Sequence, residues 1–147
     1  FDLAFRLENL EPGQILKDTR NDFGKGMLLS TTAEKTIRLS LSDGRTTSTW
    51  DSDAGMLEAG RDHYMSVIVD GGPKIIMFVI DGVLCDGGEN RQFGWGRFNP
   101  FLHQVNGAEK WMLGKKLRGE ISSIKVYIRA LKVSEAIGNY NFHIHEK

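Results

Sequence analysis

The stretch TIRLSLSDGRTTSTW, residues 36–50, decides the fold class of this chain. Apolar and polar residues alternate over its first seven positions, so a strand here would have one apolar face and one polar face. Asp43-Gly44 follows, a pair that favours a tight hairpin turn because both residues tolerate positive φ. We therefore predict that a strand at 36–42 pairs antiparallel with a strand at 46–50, in a sheet with one buried face.

The same alternation recurs in short runs that Gly, Asn, Asp and Pro separate, which is the pattern of an antiparallel β-sandwich. The predicted strands are 15–19, 26–32, 36–42, 46–50, 63–70, 74–80, 111–115 and 120–127, and residues 2–7 alternate as well. Residues 64–80 are predicted to form a hairpin of long, buried strands. One turn of helix is expected at 134–137 with Ser134 as its cap, and the tail from Phe142 is expected to return as an edge strand or to fray. The predicted class is all-β.

Length and composition limit the possible functions. The 147 residues fit one domain, predicted as a single module over 1–147 and excised from a larger protein, because the chain opens at Phe1 with a strand in progress. Lys and Arg number 19, as do Asp and Glu, so nucleic acid is not an expected partner. The longest apolar run, 74–80, is too short to span a membrane. Cys85 is the only cysteine, which excludes an internal disulfide; we expect it to act as a small, partly buried hydrophobe.

Three motifs occur in an order that resembles the laminin G-like and concanavalin A-like sandwich. A histidine opens a strand, a second strand ends in Asp-Gly, and a late strand ends in Tyr-x-Arg-Ala-Leu before Ser-Glu. The residues are His63, Asp81-Gly82, Tyr127, Arg129-Ala130-Leu131 and Ser134-Glu135. The resemblance covers about residues 13–140 and implies a jelly-roll sandwich. Members of this family usually begin with a further strand, so we expect one to be missing before Phe1.

The loop from Cys85 to Phe98 is more narrowly similar to fructan-binding modules of bacterial levanases. The resemblance implies a non-catalytic carbohydrate-binding module, attached to a glycoside hydrolase or related enzyme and located outside the cell or in the periplasm. Its expected partners are an oligo- or polysaccharide, with a fructan as one candidate, and the attached catalytic domain. Two alternatives stay open: a laminin G-type protein-interaction or adhesion domain, and a structural spacer packed on a catalytic domain.

Sugars are bound by aromatic rings, which stack on apolar CH faces, together with charged or amide side chains that hold hydroxyl groups. The chain has two such mixtures. The first contains Trp50, Asp51, Ser52 and Asp53, with Arg45 near them in sequence; the second contains Asp86, Glu89, Asn90, Arg91, Trp95, Arg97 and Asn99. Between Gly94 and Gly96, Trp95 sits on backbone that permits close approach to a ligand, and in an extended chain Arg97 would lie on the same side.

Each candidate also has a structural alternative. Trp95 could pack its loop onto the sheet while Arg97 donates hydrogen bonds to loop carbonyls. The Trp50 cluster could stabilise a turn. Trp111 is expected to pack, because Met112 and Leu113 after it look internal. Residues 20–22 are a reserve candidate that we expect to be a plain turn.

Metal binding and catalysis are less well supported. A structural Ca²⁺ is an alternative, with Asp51 and Asp53, or Asp81 and Asp86, as oxygen ligands, although neither pair has EF-hand spacing. Catalytic residues are not expected, because the Glu-x-Asp-x-x-Glu run of concanavalin A-like glucanases does not occur. His143 and His145 would share one strand face, but a pair of histidines near a chain end does not by itself indicate a metal site. His63 is expected to be a hydrogen-bonded structural residue.

Overall fold

A computed structural model describes residues 1–88 and 91–146, in which the chain forms eleven strands and one helix. The strands are β1 Asp2–Leu7, β2 Ile15–Asp18, β3 Gly26–Thr31, β4 Ile37–Ser42, β5 Thr47–Asp51, β6 Asp62–Asp70, β7 Ile75–Ile80, β8 Val83–Leu84, β9 Gly96–Arg97, β10 Met112–Leu113 and β11 Gly119–Lys125. The helix is α1 Val133–His145.

All paired strands are antiparallel and form two sheets. Sheet A has the order β11-β1-β6-β7-β8, and β9 also pairs with β7. Sheet B has the order β10-β2-β3-β4-β5, so β5 is an edge strand. The predicted all-β antiparallel sandwich is confirmed.

The core lies between the two sheets. Alternation along β4 places Ile37, Leu39 and Leu41 inside, all with 1% or less of their surface exposed, while the residues between them stay partly exposed. Sheet A contributes residues such as Phe78, which is fully buried. Burial of this apolar surface is the main force that holds the two sheets together.

Both predicted hairpins are present. Strands β4 and β5 pair from Ser42 and Thr47 to Arg38 and Asp51. Their connection, residues 43–46, is longer than a two-residue turn, and only Gly44 of the Asp43-Gly44 pair has positive φ, at 91°. Strands β6 and β7 pair over residues 65–80, as the long apolar runs predicted.

The C-terminal prediction was wrong. Residues 133–145 form a helix of 13 residues, neither a single turn nor an edge strand. Its cap position is Lys132 rather than Ser134, and the backbone N–H of Lys132 donates to the Glu135 carboxylate at 2.9 Å. The helix covers the outer face of sheet A, where Ala136 packs in a cluster with Ile68 and Val79.

The histidine prediction at this end was also wrong. On a helix, His143 and His145 are about 200° apart and cannot share a face. The ring of His143 contacts that of Tyr64, with their centroids 4.7 Å apart. None of the described segments forms a helix with the length and hydropathy needed to span a bilayer.

The strand predicted at 111–115 shrinks to two residues, β10, that pair with β2. Met112 and Leu113 are exposed by 46% and 45%, so the expectation that they are internal was wrong. The reason is that β10 lies at the edge of sheet B, where it pairs on one side only.

Candidate functional site

A polar cleft of about 580 Å³ lies at one end of sheet B. It is formed by the β3–β4 turn, the end of β5 with the residues after it, and the loop that follows β8. Its ionisable lining residues are Glu34, Arg38, Asp51, Asp53 and Arg91. The cleft therefore joins the first predicted cluster to part of the second.

Arg38 and Asp51 form one ion pair of the cleft. They are cross-strand partners on β4 and β5, on the face that points away from the core. The Arg38 guanidinium donates from Nε and Nη2 to the two Asp51 carboxylate oxygens, at 2.7 and 3.0 Å. The carboxylate of Asp51 raises the pKa of Arg38 above its ordinary value. Both side chains remain partly exposed, so they can still meet a ligand.

Arg91 ties the long loop to the end of β5. Its Nη1 donates to the Asp51 carbonyl at 2.7 Å, its Nε donates to the Gly87 carbonyl at 3.3 Å, and its Nη2 contacts the Asp53 carboxylate. The Gly87 N–H in turn donates to both Asp53 oxygens, at 3.1 and 3.2 Å. Asp53 and Arg91 thus order the loop as well as lining the cleft.

Trp50 is packed rather than open. It pairs with Leu39 and so lies on the core-facing side of β5. The Arg91 guanidinium carbon lies 4.1 Å from its ring centroid, and a Cβ built at Gly96 would come within 2.4 Å of the indole. Its indole Nε1 is buried with no acceptor among the described residues. The structure favours the packing alternative for Trp50.

Phe93 and Trp95 form an exposed, stacked aromatic pair on the loop that follows β8. Their rings stack at 4.7 Å between centroids with an interplanar angle of 29°, and 48% and 40% of the two residues is exposed. The loop that carries them is anchored on either side, at Gly87 by Asp53 and at Gly96 against Trp50. Phe93 was not predicted as a site residue. Its position two residues before Trp95, in the same loop, could have identified it as a candidate.

Other predicted residues of the loop lie around this surface. Arg97 is exposed on β9, pairs through its backbone with Ile75, and has no side-chain ion pair among the described residues. Asp86 accepts the Gly88 N–H at 3.0 Å, which lowers the pKa of its carboxyl group. Asn99 is held in a turn, since its N–H donates to Ser48 and its side chain accepts the Phe101 N–H. Glu89 and Asn90 lie outside the described residues.

Arg45 does not join the cleft. It lies in the β4–β5 turn, where its N–H donates to Asp43 at 2.9 Å. It is not among the residues that line the cleft, and β5, about 13 Å long from Thr47 to Asp51 at about 3.3 Å per residue, lies between the turn and the cleft. The reserve candidate at 20–22 is a turn, as expected: Asn21 accepts the N–H groups of Phe23 and Lys25.

Among the described residues, no group of three or more His, Cys, Asp or Glu side chains is arranged to hold a metal. Both carboxylate oxygens of Asp81 are occupied: one bonds the His63 ring at 2.7 Å and the other accepts the Tyr64 N–H at 2.9 Å. Burial alone would lower the pKa of His63, but the hydrogen bond and charge of Asp81 raise it above its ordinary value. His63 is therefore the hydrogen-bonded structural residue that we expected. Burial raises the pKa of the Cys85 thiol to about 11, so this thiol is unreactive.

A second cleft, of about 550 Å³, lies at Lys17 and Trp111. The Lys17 ammonium lies 4.0 Å from the Phe1 ring centroid and 4.2 Å from the Trp111 ring centroid. Trp111 is nevertheless 47% exposed. This cleft is lined mainly by apolar side chains and backbone, and it contains neither predicted cluster.

Several solved structures resemble the fold. The CBM40 of the Ruminococcus gnavus IT-sialidase, bound to α2,3-sialyllactose, matches with a TM-score of 0.71 at 17% identity, covering 95% of this chain and 80% of that chain. The leech intramolecular trans-sialidase, complexed with 2,7-anhydro-Neu5Ac, matches with a TM-score of 0.69 at 20% identity, covering 93% of this chain and 22% of that chain. A heptameric SAP-like pentraxin from Limulus polyphemus matches with a TM-score of 0.63 at 13% identity, covering 92% of this chain and 66% of that chain.

At these identities the likeness shows the fold, which is a jelly-roll sandwich of the concanavalin A-like type. The narrower resemblance to fructan-binding modules stays a prediction. No protein-family model matches the sequence, and no curated protein matches it significantly.

Proposed function

We propose that this chain is a non-catalytic carbohydrate-binding module whose site combines the polar cleft with the Phe93–Trp95 stack. The observation that carries the proposal is that stack: two large aromatic rings face solvent on a loop anchored to the cleft. Two stacked aromatic residues, each exposed by 40% or more, offer an apolar surface that a ligand can cover.

The chemistry of the two parts is complementary. The rings provide apolar faces against which the CH groups of a pyranose or furanose can pack. The Arg38–Asp51 pair provides donors and acceptors for hydroxyl groups and is partly exposed. A cleft with apolar walls and a few fixed polar groups is the usual form of a small-ligand site.

The fold gives independent support. The CBM40 of the Ruminococcus gnavus IT-sialidase was solved with α2,3-sialyllactose and with α2,6-sialyllactose bound, so a sandwich of this type can bind a glycan. Asp51 and Asp53 of the cleft are engaged by guanidinium groups and, for Asp53, by a backbone N–H. A glycosidase needs instead a carboxyl group that stays protonated to act as an acid.

We further propose that the module holds an attached carbohydrate-active enzyme close to its glycan, outside the cell or in the periplasm. An open site of this size gives modest affinity, because each hydrogen bond to a sugar replaces one to water and contributes about 0.5–1.5 kcal/mol. Tethering makes such affinity useful by raising the effective concentration of the catalytic domain at the polymer.

A glycan screen tests this proposal. The chain would be screened on fructans, plant cell-wall polysaccharides and sialylated glycans, with a folded Trp95→Ala variant alongside and with calcium added or chelated. Binding that the variant weakens supports a module with its site at the stack. Absence of binding to every glycan, with and without calcium, would contradict the proposal and favour the protein-interaction or spacer alternative.

A further inference from the structure

We infer that the cleft selects uncharged glycans and discriminates against sugars that carry a carboxylate. This inference rests on the proposed function and adds to it the chemical class of the ligand. Its basis is the charge of the cleft and the state of its two guanidinium groups.

The cleft carries no excess positive charge. Its described lining contains three carboxylates, those of Glu34, Asp51 and Asp53, and two guanidinium groups, those of Arg38 and Arg91. The formal charge of this lining is therefore −1. A ligand carboxylate would enter a region with a net charge of its own sign, and like charges brought together at an interface cost several kcal/mol.

Both guanidinium groups already have carboxylate partners. Arg38 is bound bidentately by Asp51, and Glu34 adds a second negative charge near it. Arg91 contacts Asp53 and also donates to two backbone carbonyls. An acidic sugar that displaced Asp51 from Arg38, or Asp53 from Arg91, would leave that carboxylate without its guanidinium partner, which is the costly outcome for a partly buried carboxylate.

Hydroxyl groups meet no such conflict. Each hydroxyl can accept from a guanidinium N–H and donate to a carboxylate oxygen, so neighbouring hydroxyls can bridge the Arg38–Asp51 pair without separating it. Arg38 bonds Asp51 through Nε and Nη2, and its Nη1 has no protein acceptor among the described residues. A paired, mixed-sign surface of this kind complements a neutral polyol better than an anion.

Matched ligands give the direct test. Two pairs differ mainly in a carboxylate: the methyl ester of 3′-sialyllactose against 3′-sialyllactose itself, and fully methyl-esterified polygalacturonan against the free acid. For whichever pair binds, we expect the neutral member to bind at least about tenfold more tightly, which corresponds to about 1.4 kcal/mol. We also expect its affinity to stay nearly constant between about 0.05 and 0.5 M NaCl, because no net ion pair forms.

One charge substitution sharpens the test. Glu34 is exposed in the β3–β4 turn, so Glu34→Gln removes a negative charge without opening the core. The variant should narrow the difference between the acidic and neutral ligands by a few-fold, because the repulsion of the acidic ligand falls. Glu146→Gln is the matched control: Glu146 is exposed at the end of α1, on the outer face of sheet A, and its substitution should leave the ratio unchanged.

The outcomes separate the two proposals. Tighter binding of the acidic members would overturn the selectivity inference and leave the glycan-binding function standing. If the ratio of the affinities for the acidic and neutral ligands were the same in wild type and Glu34→Gln, the role given to the charge of the cleft would also be overturned. Absence of binding to all neutral and acidic glycans would overturn the proposed function, and the inference with it.

Discussion

The guanidinium carbon of Arg91 lies 4.1 Å from the centroid of the Trp50 ring, so the tryptophan nearest the cleft is covered by a side chain of the loop. Arg91 is at the same time bound to Asp53 and to the Asp51 carbonyl. Trp50 therefore supports the loop, and the exposed stacking surface is that of Phe93 and Trp95.

Trp95→Ala should weaken glycan binding by about threefold to tenfold, since aromatic contacts of this kind contribute about 0.5–1.5 kcal/mol. Stability should fall only modestly, because 40% of Trp95 is exposed and its ring stacks on Phe93 of the same loop. Calorimetric titration and thermal unfolding would measure the two quantities. Trp111→Ala is the control: Trp111 is exposed to a similar extent but lines the other cleft, so an equal loss of affinity in this variant would contradict the assignment.

Gly96→Ala should destabilise the loop. An added Cβ would lie 2.4 Å from the Trp50 indole, so the ring or the β9 backbone must move, at a cost of about 1–3 kcal/mol. Urea unfolding would measure the loss, and glycan affinity should fall with it. Gly71→Ala meets nothing within 4 Å and should change stability by less than about 0.5 kcal/mol. Equal stability of the two variants would show that Trp50 is not packed against Gly96.

His63→Gln should lower the free energy of unfolding by about 1–3 kcal/mol, because the partly buried Asp81 carboxylate loses its charged hydrogen-bond partner His63. The raised pKa of His63 means that its contribution is complete below its ordinary value of 6.5 and is lost as the pH rises through the folded value. The pKa of Asp81 is lowered, because its bonds to His63 and the Tyr64 N–H outweigh the opposing effect of burial. The contribution of Asp81 to stability is therefore complete above about pH 3.8 and is lost in acid.

The difference between wild type and His63→Gln should therefore be largest between about pH 4 and pH 6.5. Urea unfolding across that range measures it. His145→Gln, at an exposed position near the end of α1, should match wild type throughout. A difference that does not vary with pH would mean that the His63–Asp81 pair is not ionised in the folded chain.

Lys17→Met should stabilise the protein at neutral pH, since Lys17 is only 3% exposed and lacks a carboxylate partner among the described residues. Burial lowers the pKa of Lys17 from 10.5 to about 8. As the pH rises, Lys17 therefore loses its proton at a lower pH in the folded chain than in the unfolded chain. The free energy of unfolding of the wild type should rise relative to that of Lys17→Met between about pH 8 and pH 10.5. Urea unfolding of wild type and Lys17→Met at several pH values would measure this change. A difference in free energy of unfolding that stays constant over the range would contradict the prediction.

The fold was predictable because period-two alternation defines both the strands and their buried faces. The pairing of residues 36–42 with 46–50 also predicts the face of the sheet on which Trp50 lies. With a turn of two residues or of four, Trp50 falls opposite an odd-numbered residue of β4, and these are the buried ones. The sequence thus favoured packing for Trp50, and it did so through the register of the hairpin rather than through the residue type.

Helix α1 was not predictable in the same way. Its second half alternates Asn, Phe, His, Ile and His, which resembles a strand, and it has Gly138 in its middle. The helix is stabilised by tertiary contacts instead. The side chain of Asn139 donates to Asp2 at 3.0 Å, and Tyr140 packs on Gly82. Such long-range contacts override local propensity and leave no periodic signal.

The site was predicted in part. The residue types were found, but Arg45 was included for its closeness in sequence, and Glu34, Arg38 and Phe93 were not predicted as site residues. The ion pairs of Arg38 and Arg91 depend on strand register and loop closure, which the sequence does not display.

The central claim is that a glycan binds at the Phe93–Trp95 stack and the adjoining cleft. The chain has three tryptophans, so its indole N–H groups should give three separate signals in a ¹H–¹⁵N spectrum of the labelled protein. The decisive measurement is a titration of that spectrum with a glycan from the screen. The account predicts a saturable shift of the Trp95 signal and an unchanged Trp111 signal. A shift of Trp111 with Trp95 unchanged would place the site elsewhere and contradict the account.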